Sequence, residues 1–338
     1  MPDLQLIPST GIGSWPGTDM ADAISIAFAE CPDLPYLPEL PGRGPHASLV
    51  GRTTALLSGL AFDLQPAGWR LTDGSGRDHR AARSTLRSDL DLLEELAQGY
   101  SGRFKVSAAG PWTLAAQLER PRGDKVLADS GARREVAQSL AEGLAELAAE
   151  LHRRLPALDL VVQVDEPLLP AVLAGGVPTA SGFSRHRVVD LPEVSGTYSK
   201  LVARLAAAGD FPLAVHSCAA GTPVGLLHRA GVRALALDLV RLGTADWDEL
   251  GPALEAGLVL ALGALPTHQP EVPPLDADRV AERALAPLRA LGLDPVLLTA
   301  QLVLTPACGL AAYPQAAALQ ALRAVRTAAG IVTEQLAD

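Results

Sequence analysis

Short apolar runs that lack polar alternation recur along the chain, with amphipathic segments between them. Such runs are typical of parallel strands that are buried on both faces. In the amphipathic segments, apolar residues three and four positions apart predict helices. The predicted strands cover residues 9–14, 35–40, 104–108, 158–164, 212–215, 234–239, 258–263 and 296–304. The predicted helices cover residues 21–29, 88–96, 132–154, 201–208, 277–291 and 314–329.

The alternation of strand and helix predicts one closed (β/α)8 TIM barrel of the α/β class. The 338 residues fit a single domain over residues 1–338 with modest insertions. Segments 42–83 and 174–194 are these insertions, and each is expected to be either a binding loop or a solvated excursion. An open doubly wound sheet is the alternative, disfavoured because no GxGxxG turn follows the first strand.

Charge and cysteine usage narrow the classes of partner. The net charge is −10 and Lys and Arg form no long run, which disfavours a nucleic-acid partner. Apolar runs are broken by Gly or Pro before they reach membrane-spanning length, so no membrane span is expected. The sequence shows no signal-peptide pattern, and its three widely spaced cysteines do not form a disulfide framework. A reducing cytoplasm is therefore the expected location.

Candidate metal ligands follow three of the predicted strands. His216 and Cys218 end one strand at alternate positions, Asp238 ends the next, and Cys308 follows the last. Because barrel strands end at one mouth, these side chains are expected to complete a four-coordinate zinc site. The alternative for each cysteine is a small core residue. The alternative for Asp238 is to support a metal ligand by hydrogen bonding or to cap a helix.

The ligand charges indicate what such a zinc site would do. Two thiolates and a carboxylate over-neutralise Zn²⁺, so bound water would be polarised weakly. A thiol substrate suits the site better, because zinc lowers the thiol pKa while electron-rich ligands keep the sulfur nucleophilic. The site therefore favours alkyl transfer to sulfur over hydrolysis.

Other candidate residues lie at further strand ends. Asp165 and Glu166 in VVQVDEP are predicted to bind an ammonium group or act as acid and base, with a solvated strand end as the alternative. Ser14 in TGIGSWPGT is a candidate for holding a carboxylate, unless this segment is a plain turn. Glu39 ends the second strand and is either a site residue or part of a surface charge pair. Trp112 is a candidate stacking surface at a helix N-terminus, or a core residue.

The motifs GIGSWPGT, AAGPWTL, VVQVDEP, HSC and TPACGL, in this order, resemble the catalytic domain of cobalamin-independent methionine synthase. The resemblance implies a barrel of the type shared with uroporphyrinogen decarboxylase and zinc-bound homocysteine as methyl acceptor. It implies His216, Cys218 and Cys308 as zinc ligands, and Asp238 stands where the family has a glutamate ligand. By the same resemblance, Asp165 would hold the homocysteine amino group, with Glu39 a second candidate, and Ser14 would hold its carboxylate.

Departures from the family pattern bear on the methyl donor. Ala264 stands where the family has a histidine linked to folate chemistry, and Gln117 where a tryptophan stacks on folate. The chain has no room for the duplicated barrel of full-length members, so it resembles a short single-barrel form. The expected function is zinc-dependent methyl transfer to homocysteine or a related thiol, from a corrinoid protein or methyl-folate. The alternatives are a uroporphyrinogen decarboxylase-like enzyme and a non-catalytic zinc- or thiol-binding barrel.

Overall fold

A computed structural model describes residues 6–337 and shows an α/β fold around one curved parallel sheet. Its six strands lie side by side in chain order, β3 to β8, and an antiparallel hairpin of β1 and β2 lies outside it. The strands are β1 (Ala61–Gln65), β2 (Gly68–Thr72), β3 (Gly102–Ala109), β4 (Leu158–Asp165), β5 (Leu213–Ser217), β6 (Ala234–Asp238), β7 (Val259–Leu265) and β8 (Leu302–Pro306).

Two extended segments connect the outer strands β8 and β3. They coincide with the predicted strands 9–14 and 35–40, but neither forms a regular strand, so eight full strands are not confirmed. Pro35 and Pro38 lack the N–H donors that a continuous ladder needs, which limits the pairing of the second segment. The two segments are joined to the sheet and to each other by isolated parallel bridges, Ser9 to Leu304, Ser14 to Glu39 and Tyr36 to Lys105.

Helices follow most of the strands, and all six predicted helices are present. The helix at 277–291 has the predicted bounds, and each of the others extends beyond its predicted range at one end or both. Asp19 and Asp129 cap the N-termini of two of them, α1 and α5. The helices are α1 (Met20–Glu30), α2 (Leu49–Thr54), α3 (Arg77–Leu96), α4 (Pro111–Gln117), α5 (Ser130–Arg154), α6 (Leu169–Leu173), α7 (Leu191–Gly209), α8 (Val224–Arg229), α9 (Thr244–Glu255), α10 (Ala277–Leu291), α11 (Pro295–Gln301) and α12 (Gln315–Ala337). Across residues 6–337, no helix combines the length and apolar character needed to cross a bilayer.

Two predictions of local structure were wrong. Most of segment 296–304 is helix α11, because the Asp294 side chain accepts a hydrogen bond from the Val296 N–H and Pro295 fits the first helical turn. Segment 42–83 is not a simple loop, since it contains α2, the β1–β2 hairpin and the start of α3. The other insertion, 174–194, is irregular until α7 begins.

The space enclosed by the sheet is only partly filled. A cavity of about 210 Å³ is lined by residues of all six strands of the sheet. Several of these residues are alanines, including Ala214, Ala236 and Ala261, whose side chains fill little of the interior. Lys105 and Gln163 line the same cavity.

Candidate metal and thiol site

Three donor side chains meet beyond the carboxyl ends of β5 and β8. His216 lies near the end of β5, Cys218 follows that strand directly, and Cys308 lies two positions beyond β8. One ligand atom from each residue lies within 4.8 Å of the other two. The two sulfurs are 3.5 Å apart. Parallel strands of a curled sheet end at one mouth, which explains how residues distant in sequence converge.

The imidazole of His216 is oriented as a metal ligand would be. Its Nδ1 lies 3.1 Å from the carbonyl oxygen of Ala236, and its buried Nε2 has no hydrogen-bond partner. A carbonyl can only accept, so Nδ1 carries a proton, and Nε2 is the nitrogen that can bind a metal once it is deprotonated. Metal-binding histidines are commonly held by such a backbone contact. One imidazole nitrogen and two sulfurs therefore form a donor set that suits zinc.

The two thiols share one proton. The hydrogen bond from Cys308 and the contact with His216 lower the pKa of Cys218 to about 4. The same hydrogen bond, together with burial, raises the pKa of Cys308. Burial lowers the pKa of His216, but its Cys218 and Asp165 neighbours raise it by more. A divalent cation would replace these protons and neutralise the thiolates.

Asp238 lies outside this group of donors. Its Oδ1 accepts a hydrogen bond from the Val240 N–H at 3.0 Å and so caps the short 3₁₀ turn Leu239–Arg241. Its Oδ2 lies 3.8 Å from Nε of Arg241. The structure thus brings three of the four predicted ligands together and gives Asp238 the capping role that was its alternative.

A cavity of about 100 Å³ opens beside the sulfurs and is lined by Ser14, Glu39 and Asp165 as well as the donor residues. Gly309 also lines it, and a Cβ at this position would collide with the Ser14 hydroxyl. The glycine of TPACGL therefore lets the Ser14 loop approach Cys308 closely. Three predicted substrate-binding side chains lie on the walls of one cavity.

Glu39 and Asp165 are carboxylates buried in the wall of this cavity. Ser107 Oγ donates to Glu39 Oε1 at 3.0 Å, and the Arg52 guanidinium lies 3.4 Å from the same oxygen. Burial raises the pKa of Glu39 to about 7, with Arg52 opposing and Asp165 adding to the shift. Burial also raises the pKa of Asp165. Two neighbouring buried carboxylates favour a cationic group between them, such as a ligand ammonium.

Glu166 and Trp112 do not line the cavity. Glu166 accepts hydrogen bonds from the backbone N–H groups of Trp112 and Thr113, the Thr113 hydroxyl and the Tyr198 hydroxyl, at 2.7–3.0 Å. It is the anion at the N-terminus of α4, and burial raises its pKa to about 7 against the effect of these donors. Trp112 is 2% exposed and packs in the core. Both side chains therefore lie away from this cavity, and their catalytic and stacking roles stay predictions.

Sequence reasoning missed Lys105, Gln163 and Arg52, all of which are buried beneath or beside the cavity. A signal for the first two exists, because polar residues alternate with apolar ones in FKVSA and VVQVD. Alternate residues on a strand share one face, so Lys105 with Ser107, and Gln163 with Asp165, mark polar faces within buried strands.

Solved structures share this fold over nearly the whole chain. A B12-independent methionine synthase from Shewanella sp. W3-18-1, in complex with selenomethionine, is 16% identical, with a TM-score of 0.64 over 98% of this chain and 99% of that one. A putative vitamin-B12 independent methionine synthase from Listeria monocytogenes is 15% identical, with a TM-score of 0.59 over 97% and 99%. A search of curated proteins gave no match.

The family described as the cobalamin-independent synthase catalytic domain matches residues 104–331 of the chain. This match covers most of the sequence, from β3 through most of α12, and includes His216, Cys218 and Cys308. The chain therefore belongs to the catalytic-domain family of cobalamin-independent methionine synthase.

Proposed function

We propose that this chain is a zinc-dependent methyltransferase that methylates the thiol of homocysteine or a closely related thiol. The observation that carries the proposal is the group formed by His216, Cys218 and Cys308, whose ligand atoms lie within 4.8 Å of one another beside a small cavity. With only three protein donors, a bound zinc would be able to take the substrate sulfur as a further ligand. Asp238 is not needed to complete the set.

His216, Cys218 and Cys308 would hold the zinc, which supplies a thiolate nucleophile at neutral pH by lowering the pKa of a bound thiol. The remaining residues bind and orient the amino-acid part of the substrate. Glu39 and Asp165 take the ammonium, and the Ser14 hydroxyl donates to the carboxylate. Ile12, Leu49 and Pro167 line the cavity and would present apolar surface to the substrate. The proton of the substrate thiol is released to solvent on binding. An electron pair of the substrate sulfur then forms the new S–CH₃ bond while the donor leaves with the electrons of its bond to the methyl carbon.

The family match and the Shewanella structure support this substrate class. Selenomethionine, bound in that relative, is the selenium form of the product expected from homocysteine. The donor is proposed to be a corrinoid protein or methyl-folate. A decarboxylase of the porphyrinogen type is the second candidate, but it needs arginines for several carboxylates, and none is among the described residues lining the cavity. A non-catalytic zinc- or thiol-binding protein is the third.

Two structural details of the proposal follow from the same observations. The isolated bridges at Ser9, Ser14 and Tyr36 support an eight-segment barrel in which the first two segments complete the ring. The three cysteines are free thiols, which supports a reducing cytoplasm as the location.

Metal analysis of the purified protein tests the proposal, with Cys308→Ala as the variant. Cys31→Ala is the matched control, because Cys31 is a buried core thiol outside the donor group. We expect about one zinc per chain in the wild type and in Cys31→Ala, and a large loss in Cys308→Ala. Methyl transfer to homocysteine is then assayed with methylated corrinoid and with methyl-folate. Unchanged zinc content in Cys308→Ala, or zinc-loaded protein that methylates no thiol with either donor, would overturn the proposal.

A further inference from the structure

Lys105 is a buried cation that the proposed chemistry does not use. It lies on β3, is 3% exposed, and does not line the cavity beside the sulfurs. Its Nζ donates to the carbonyl oxygens of Gly11 at 2.6 Å and Ile12 at 2.9 Å, and to Oε1 of Gln163 at 2.7 Å. An ammonium has three N–H donors, so all of them have partners. Burial lowers the pKa of Lys105 to about 8, so the group remains charged at neutral pH.

The Lys105 ammonium fixes the orientation of the Gln163 amide. An ammonium cannot accept a hydrogen bond, so the amide must present its oxygen to Lys105 and its NH₂ group to the other side. That NH₂ group donates to Ile12 at 3.0 Å and to Oδ1 of Asp165 at 2.7 Å. If the amide rotated, its oxygen would face the Asp165 carboxylate and repel it. Lys105 and the Ile12 carbonyl therefore together hold the amide in the orientation in which Asp165 meets a donor.

The same contacts reach both walls of the substrate cavity. Asp165 forms one wall, and the segment of Ile12, Gly13 and Ser14 forms another. Gln163 is the one hydrogen-bond donor to the Asp165 side chain within residues 6–337, and it engages only Oδ1. The remaining oxygen, Oδ2, is left for a ligand. Every N–H donor of the Lys105 ammonium and of the Gln163 amide has a partner, and this pairing holds the two side chains in one arrangement.

We propose that Lys105, acting through the Gln163 amide, is a positioning residue that orients Asp165 to receive the ammonium of an amino-acid thiol. The inference rests on the proposed function, since it assumes that this cavity binds such a thiol. Lys105 and Gln163 do not contact the substrate themselves. They select for the amino group, and the zinc ligands select for the sulfur.

Calorimetric titration of the zinc-loaded protein tests this division of roles. The ligands are homocysteine and its des-amino analogue, which keeps the thiol and carboxylate but lacks the ammonium. Gln163→Met removes the amide that links Lys105 to Asp165, while Lys105 keeps its two carbonyl partners. Lys105→Met removes the ammonium group. Lys200→Met, on the exposed surface of α7, is the matched control. Zinc content and the melting temperature are measured for every variant.

We expect Gln163→Met and Lys105→Met to weaken homocysteine binding by about tenfold, the effect of one charge-assisted hydrogen bond. Binding of the des-amino analogue should change by less than about twofold, and Lys200→Met should match the wild type. Equal loss for both thiols in Gln163→Met or in Lys105→Met, or no loss for either thiol in one of these variants, would overturn the inference. With either of these outcomes, the proposed function would still stand if the wild type bound homocysteine more tightly than the des-amino analogue. A wild type that binds neither thiol would overturn both.

Discussion

Replacing Glu166 with glutamine separates a structural role from a catalytic one. The carboxylate accepts hydrogen bonds at both oxygens, from the Trp112 N–H and Tyr198 hydroxyl at Oε1 and from two Thr113 donors at Oε2. Glutamine keeps the size of the side chain but turns one of these acceptors into a donor. The hydroxyls of Thr113 and Tyr198 can rotate to accept from the new NH₂ group. A backbone N–H cannot, so either amide orientation leaves the N–H of Trp112 or Thr113 unpaired.

The expected destabilisation follows from the one backbone N–H that loses its acceptor. One buried N–H without an acceptor costs about 1–3 kcal/mol. Loss of the negative charge at the N-terminus of α4 adds about 0.3–1 kcal/mol, while relief from burying that charge acts in the opposite direction. We therefore expect Glu166→Gln to lower the free energy of unfolding by about 2 kcal/mol. Zinc content and the methylation rate of the folded enzyme should stay near those of the wild type.

Urea unfolding at pH 8, where Glu166 is ionised, measures the loss from the shift in midpoint and the m-value. Glu142→Gln is the matched control, because Glu142 is exposed and its ion pair with Arg204 lies on the surface. That control should change stability by less than about 0.5 kcal/mol. The reasoning would be refuted if Glu166→Gln unfolded like the wild type while its turnover fell about a hundredfold, as loss of an acid–base group would cause.

Three further predictions concern the site. Asp238→Asn should retain its zinc, since the carboxylate caps a turn outside the donor group, and a clear fall in metal content would make Asp238 a ligand. Homocysteine affinity should fall as the pH drops below about 7, because Glu39, with a pKa of about 7, must be ionised to bind an ammonium. Titrations across this range should show the dependence strongly reduced in Glu39→Gln, and an unchanged profile would count against the role of Glu39. Zinc binding should release at least about one proton from the Cys218–Cys308 pair, detected by calorimetry in buffers of different ionisation enthalpy; zinc uptake without proton release would contradict a shared proton.

The parts of the site that strand order determines were predictable from the sequence. His216, Cys218 and Cys308 follow buried apolar runs, and strand ends in a curled parallel sheet converge. The same reasoning placed Ser14, Glu39 and Asp165 near one another, although the strands expected around the first two are only bridged segments.

Roles set by local hydrogen bonding were harder to predict. Asp165 and Glu166 are adjacent, and neighbouring side chains at a strand end point in opposite directions, so only one could face the cavity. Asp238 ends β6 as expected, but its carboxylate accepts a hydrogen bond from the Val240 N–H in the turn that follows. Helix α11 replaced the first six residues of the strand predicted over 296–304, and the last three belong to β8. An Asp-Pro helix start outweighed an apolar run that either element can contain.

The partly filled interior beneath the site has a mechanical consequence. Alanines at the inward positions leave the floor of the site supported by the contacts of Lys105 and Gln163 rather than by close packing. Cavity volume left by side-chain packing is eliminated when a protein unfolds, so hydrostatic pressure favours the unfolded state. A larger residue such as valine at Ala236 would occupy part of that space and should make the folded chain less compressible.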